Sequence, residues 1–341
     1  MLRAWYNQNR KESRINYQAG IDLNKESGTG KRIQDQKQQI GDYAAFVSLK
    51  FDPVKAISLQ PGARAIYNTK YAAPIVYSMN VKWAPAEKWA LRATYARGFT
   101  APELKELYLY FVDINHNVRG NPDLKAEYSH TYSLDLSYNH ESAKAFINAE
   151  VCLFYNNINN NITLSTEVNI NLYTYINVGK FISRGVQANV SWSLYPALTL
   201  KTGYSATAQS FAFDASSIRK AGNNWNRDLT GSLVYKMVTQ KITLSLFYKY
   251  SGKTPQVVPN DDRTISVRWV NDFHTLDLTV MRSFLKNHFT VSAGGKNLFD
   301  VKTVPAVGAT GGAHSGGSAS EDIAWGRTYF VKLSFNFNTY E

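Results

Sequence analysis

Apolar and polar residues alternate along this chain with a period of two, in run after run. Tyr128, Tyr132, Leu134, Leu136 and Tyr138 share one parity, and Ser129, Thr131, Ser133, Asp135 and Ser137 share the other. Ala145, Ile147, Ala149, Val151, Leu153 and Tyr155 alternate in the same way with Asn148, Glu150 and Asn156, and near the end Tyr329, Val331, Leu333, Phe335 and Phe337 alternate with Thr328, Lys332, Ser334 and Asn336. Side chains of a strand point to opposite faces in turn, so each run predicts a strand with one apolar and one polar face. The runs are about 10 to 13 residues, long for soluble strands and suited to a tilted strand crossing a bilayer. Strands are expected near 14–24, 39–52, 56–67, 74–84, 89–97, 127–139, 144–156, 181–194, 197–207, 227–237, 241–251, 273–283, 288–297 and 326–338.

The connections alternate too. Tight turns rich in Pro, Asn and small polar residues, such as Tyr195-Pro196 and Val238-Thr239-Gln240, alternate with longer segments at 25–38, 68–73, 98–126, 157–180, 208–226, 252–272 and 298–325. Short turns on one rim and long loops on the other are the arrangement of outer-membrane barrels, with the long loops outside the cell. The fold class expected is therefore all-β: a transmembrane antiparallel β-barrel, entered by a first strand running upward and left by a last strand that puts the C-terminus on the periplasmic side.

Composition refines this picture. No run of 18 apolar residues exists, which excludes helical spans, and a negative mean hydropathy is natural when half of each strand is polar. Aromatic residues make up 13% of the chain, with 22 tyrosines, an excess that suits girdles at two membrane interfaces. The single cysteine, Cys152, excludes an internal disulfide. The net charge of +12 is dispersed, with no basic helix or zinc-ligand spacing, so nucleic acid is not the expected partner. Arg64, Arg92, Lys201 and Lys249 fall on the polar parity and would make a basic lumen, attractive to anionic solutes or merely solvated. The first residues, Met1-Leu2-Arg3-Ala4-Trp5-Tyr6, have no apolar core of a signal peptide, so the expectation is either a fragment or a chain whose beginning is encoded elsewhere. No nucleophile motif, phosphate-binding glycine loop or metal pattern appears. Asp261-Asp262 has no further ligands at a useful spacing, and no ordered Ser/His arrangement would support hydrolysis.

Four motifs carry a family resemblance. They are Gly98-Phe99-Thr100-Ala101-Pro102; Gly120-Asn121-Pro122-Asp123-Leu124-Lys125-Ala126-Glu127; Ser183-Arg184-Gly185-Val186-Gln187; and Lys296-Asn297-Leu298-Phe299-Asp300 followed by Gly326-Arg327-Thr328-Tyr329. In this order and at barrel spacing the chain resembles the C-terminal part of the barrel of TonB-dependent outer-membrane receptors, with Thr100 where the family usually has Arg and Gln187 where it usually has Glu. The resemblance implies that residues 1–341 form a partial receptor barrel, about 14 C-terminal strands of a 22-stranded whole, without the plug domain or the N-terminal strands. It implies uptake of a scarce large solute, a ferric siderophore, haem or a cobalamin, driven by the TonB–ExbB–ExbD complex through the N-terminal part, in a bacterial outer membrane containing lipopolysaccharide. No covalent cofactor is implied; haem or a ferric chelate would be cargo. A passive porin, should the strands close on themselves, and a glycan or peptide receptor of the same superfamily are the alternatives. The segment between the first two motifs is the best binding candidate, through Tyr108, Tyr110, Phe111 and His116, because a loop histidine in that interval ligates iron in haem receptors of the family. His314, in a Gly/Ser loop, is a weaker candidate.

Overall fold

The computed structural model describes residues 1–10, 13–114, 116–167, 172–212, 224–259, 265–307 and 320–337. In chain order its elements are β1 (Leu2–Gln8), β2 (Ile15–Thr29), β3 (Lys37–Val54), β4 (Ile57–Asn68), β5 (Val76–Ala86), β6 (Trp89–Thr100), α1 (Leu104–Tyr108), β7 (Tyr110–Val112) and β8 (Asn117–Arg119). There follow β9 (Glu127–Glu141), β10 (Ala145–Glu167), β11 (Leu172–Leu194), β12 (Leu198–Ala212), β13 (Asn224–Met237), β14 (Ile242–Ser251), β15 (Thr254–Pro259), β16 (Ile265–Val270), β17 (Phe273–Phe284), β18 (Phe289–Lys296), β19 (Thr303–Val307), β20 (Ser320–Asp322) and β21 (Thr328–Phe335). Among the described residues no helix is long and apolar enough to cross a membrane.

The long strands pair antiparallel with their sequence neighbours in one continuous meander, from β1 against β2 to β18 against β21. The registers confirm the parity reading. Leu91, Leu136 and Val151 lie side by side on one face, and Arg92, Asp135 and Cys152 on the other. The expected strands are all present, and several run further than the alternation signalled. β10 and β11 extend to Glu167 and from Leu172, through much of the segment read as a loop at 157–180, because cross-strand pairing continues in the same register, with one gap at Asn160 and Gly179, after the alternation of β10 stops. Short strands also form within segments read as loops, β7 and β8 in 98–126, β15 and β16 in 252–272, and β19 and β20 in 298–325. One strand of the meander itself was not expected. β1 pairs with β2 from Leu2↔Leu23 to Gln8↔Tyr17, so the chain enters downward rather than upward. Its alternation is hidden because Trp5 takes the polar-side parity, where it flanks Gly20; a Cβ there would lie 2.8 Å from Trp5 Cβ and 2.6 Å from the Phe46 ring.

Adding β1 makes the number of long strands odd, and the two outermost, β1 and β21, run in the same direction. Each pairs on one side only among the described residues.

The inner face of the curved sheet can be identified from contacts. Ile40 on β3, Ile162 on β10 and Tyr175 on β11 meet in one cluster around Leu104 and Leu107, although four strands (β4, β5, β6 and β9) separate β3 from β10. Only side chains on a concave face converge across such a span, and all three occupy the polar parity. The opposite face carries the aromatic bands. At the short-turn end Trp89 packs on Tyr138 with ring centres 4.8 Å apart, and at the long-loop end Tyr77, Tyr95, Tyr132 and Tyr155 form a chain with centres 5.0 to 6.2 Å apart. From Tyr128 to Tyr138 the strand runs roughly 33 Å, hence roughly 25 Å along the normal at a 40° tilt, the height of an outer-membrane apolar band.

Candidate functional site at the mouth of the barrel

The segment between β6 and β9 is a folded shelf. Helix α1 has five residues, too few to be stable alone. It exists because its apolar side is buried: Leu107 is completely covered and Leu104 nearly so, against Ile40 and Leu124, with Ile33, Tyr71, Tyr108, Ile162 and Tyr175 packed around them. The Glu103 amide at its start donates to the Glu106 carboxylate at 2.8 Å, and burial, partly offset by this bond, pushes the Glu106 carboxyl above its ordinary value.

The second sequence motif is the staple that fixes the shelf. Asn121 Nδ2 donates to the Tyr175 carbonyl at 2.9 Å, and the Asn121 amide donates to the Glu106 carbonyl at 2.8 Å. Asn177 accepts from the Lys125 amide at 2.8 Å and donates to the carbonyls of Lys125 and Asn160. The Tyr71 hydroxyl donates to the Leu124 carbonyl at 2.9 Å, and burial pushes its phenol up to about 12, so it remains a donor at neutral pH. Gly120 lies against the backbone of Leu107 and Tyr108, where a Cβ would approach within 2.5 Å. β7 and β8 form a small hairpin; β8 pairs parallel to the outer extension of β11, and Leu109 bridges to Ile33. The shelf therefore ties three loops together across the mouth.

The sequence candidates sit on this shelf in alternating aromatic and cationic layers. The His116 ring stacks on Phe111 at 4.5 Å, and the Arg32 guanidinium lies over Phe111 at 4.4 Å. Arg119 lies over Tyr110 at 5.5 Å. Lys70 lies over the Tyr108 ring at 4.8 Å and donates to its hydroxyl at 3.0 Å. His116 Nδ1 is 2.8 Å from the Asp113 carboxylate, which also accepts from the His116 amide. Tyr108 is largely structural, a flank of the buried cluster, whereas Tyr110 is exposed. His314 and Asp261-Asp262 lie outside the described residues. Among the described residues no cluster of three metal-ligating side chains occurs.

Arg64, Arg92, Lys201 and Lys249 all lie on the inner face, but they do not form one site. Arg64 is on β4, 3.2 Å from Asp22, which Arg3 also engages. Arg92 lines a cavity of about 850 Å³ near the short-turn end, with Arg14, Lys50, Lys82 and Asp52. Lys201 is near the lower end of β12 and Lys249 near the upper end of β14. The sequence reading missed Arg32, Lys70, Asp113 and Arg119. The spacing of Asp113 to His116 was a usable signal, and Arg119 lies in the same segment; Arg32 and Lys70 reach the shelf from other loops and left none.

A membrane-scale meander with a loop shelf folded over its mouth defines a class: the receptor-type outer-membrane barrel. The match to the model of the family described as TonB dependent receptor-like, beta-barrel extends over residues 2–298, and the chain belongs to that family. It is 25% identical over 285 residues to the iron-regulated outer membrane virulence protein of Vibrio cholerae, covering 76% of this chain and 40% of that protein. Its fold resembles the siderophore receptor PirA of Pseudomonas aeruginosa (TM-score 0.68, 18% identity, 97% of this chain and 53% of that one). It also resembles a variant of the ferric enterobactin receptor PfeA of the same organism, in complex with enterobactin (TM-score 0.71, 19% identity, 97% and 53%). The FrpB iron transporter of Neisseria meningitidis matches with a TM-score of 0.69 at 14% identity, over 96% and 53%. The chain thus spans about half the length of these relatives.

Proposed function

We propose that this chain forms the ligand-binding outer wall of an energy-coupled receptor that imports an anionic ferric chelate across a bacterial outer membrane. The observation that carries the reading is the layered shelf: Arg32, Lys70 and Arg119 set against the rings of Phe111, Tyr108 and Tyr110 at the mouth of a basic lumen. Cations beside aromatic faces, held on a rigid platform, suit a ligand that is both negatively charged and aromatic. The iron-linked names of the relatives agree with such cargo. The coupling partners are the TonB, ExbB and ExbD proteins, reached through a part of the receptor other than this barrel wall. Neither edge can close antiparallel on the other, because β1 and β21 run the same way. A barrel of about 22 strands would add about seven between them, an odd number that restores antiparallel pairing. On this reading a self-closed passive porin is disfavoured and the C-terminus is periplasmic.

A second reading, haem as cargo, is favoured by one detail. A carboxylate bonded to one imidazole nitrogen, as Asp113 is to His116, is the support that orients a metal-ligating histidine. Binding of the purified receptor to ferric catecholate, ferric hydroxamate and haem separates the cases. Tight binding of the catecholate, weakened about tenfold or more by Arg32→Ala with Arg119→Ala, supports the chelate reading. A haem spectrum lost in His116→Ala, with no catecholate binding, overturns it.

A further inference from the structure

We propose that the inner wall at the short-turn end of β3–β6 binds a small multivalent oxyanion of the phosphate or carboxylate kind. The site lies on the concave face identified above and shares no residue with the shelf.

The cavity of about 850 Å³ here is lined by five cations, Arg14, Lys50, Lys55, Lys82 and Arg92, and by one carboxylate, Asp52. Asp52 is already engaged, 3.2 Å from Lys50 Nζ. Lys82 and Arg92 stand directly opposite one another on β5 and β6. Like charges in that position destabilise a sheet unless an opposite charge lies between them. The protein supplies none within ion-pair reach: among the described residues Arg14, Lys82 and Arg92 make no salt bridge. The next inner-face position in the row, Asp135 on β9, accepts from Ser133 Oγ at 3.0 Å instead. A concave wall lined by one sign of charge concentrates counter-ions.

Neutral donors complete the cradle. Gln60, Asn80 and Thr94 form the row next to Ser58, Lys82 and Arg92. Thr94 Oγ1 donates to Asn80 Oδ1 at 2.9 Å, which leaves the amide hydrogens of Asn80, itself part of the lining, to a ligand. Span selects a ligand with more than one charged group. Lys50 and Arg92 are three strand intervals apart, roughly 14 Å between backbones, so their long side chains close on a ligand from two sides. Arg14, Pro53 and Lys55 belong to turns, so the site opens at the short-turn rim, away from the shelf. The cation cluster is local. Around Lys201, on β10–β14, a cavity of about 280 Å³ has no second cation among its described lining residues.

The test uses the receptor carrying this sequence, purified from outer membranes in mild detergent. Binding of inorganic pyrophosphate, orthophosphate and chloride is measured by calorimetry at low ionic strength. Pyrophosphate is expected to bind about tenfold or more tighter than orthophosphate, and Lys82→Gln with Arg92→Gln to weaken it by about tenfold or more. Lys236→Gln, on the inner face of β13 and outside the cavity, is expected to leave it unchanged. If the double variant does not insert, Lys82→Gln alone, at an exposed position, is expected to weaken it by about threefold or more. Pyrophosphate bound no tighter than chloride, binding unchanged in the Lys82 and Arg92 variants, or equal weakening by Lys236→Gln overturns the proposal. Ferric catecholate added to the Arg32→Ala, Arg119→Ala receptor distinguishes the sources of the anion. Displacement of pyrophosphate marks the acidic groups of the cargo and no displacement marks a free anion, and both support the site. Failure of every chelate to bind the parent would remove the function proposed above and leave this site standing.

Discussion

Leu107→Ala tests whether the mouth of this barrel is a fixed shelf or a mobile loop. Leu107 is fully buried, and its side chain is the centre of the cluster that joins α1 to β3 and the outer extensions of β10 and β11. Truncating a leucine so placed costs about 3 kcal/mol, from lost burial and from the cavity left behind. α1 has no stability of its own, and the hydrogen bonds around Asn121 and Asn177 hold only the far side of the shelf. The cost therefore falls on local opening rather than on the strand ladder. Amide exchange of residues 103–124 should accelerate about a hundredfold, with the β12–β14 ladders unchanged. Ile114→Ala, at a side chain 98% exposed on the tip of the hairpin, should change nothing. Hydrogen exchange read by mass spectrometry on the inserted receptor decides the matter. Equal protection in Leu107→Ala and parent, or acceleration spread evenly over the strands, would refute the reasoning.

Three further outcomes follow from the same geometry. Gly120→Ala should loosen the shelf by about 1–3 kcal/mol, because the clash is with the backbone of Leu107 and Tyr108, which cannot swing aside; the same exchange experiment reads it. The raised Glu106 carboxyl gives the shelf a pH dependence. Its contribution is full below the ordinary value of 4.5 and is lost as pH rises through the elevated folded value, so protection of 103–109 should fall over that window, and Glu106→Gln, which keeps an acceptor for the Glu103 amide, should flatten the profile. Asn177→Ala removes two hydrogen bonds between β11 and the second motif and one to Asn160 on β10, and should free residues 121–126 while leaving β11 paired to β12, seen as local proteolysis near Lys125.

The sheet was legible because a two-faced strand needs period two, and each alternating run found its partner at the register that keeps Leu91, Leu136 and Val151 together. β1 escaped because Trp5 packs inward beside Gly20 and spoils the alternation. The outer reach of β10 escaped because its Asn-rich run carries no apolar signal, although backbone pairing needs none, and the outer reach of β11 went with it because its partner strand was read as ended. Of the candidate site, Tyr108, Tyr110, Phe111 and His116 were singled out by their place between two motifs, and they stand together on the shelf. What those motifs do was not. Asn121, Leu124 and Gly120 fix the shelf itself, by contacts to residues far along the chain. Arg32 and Lys70 belong to other loops and join the site only when those loops converge.

The central claim is that this barrel wall serves active import of a ferric chelate. Radioiron uptake by cells whose receptor carries this sequence, supplied with a ferric catecholate, tests it most directly. Uptake that saturates, requires TonB and falls in Arg32→Ala with Arg119→Ala is the result expected. Uptake that is unsaturable, indifferent to TonB and unchanged in that variant would contradict the account.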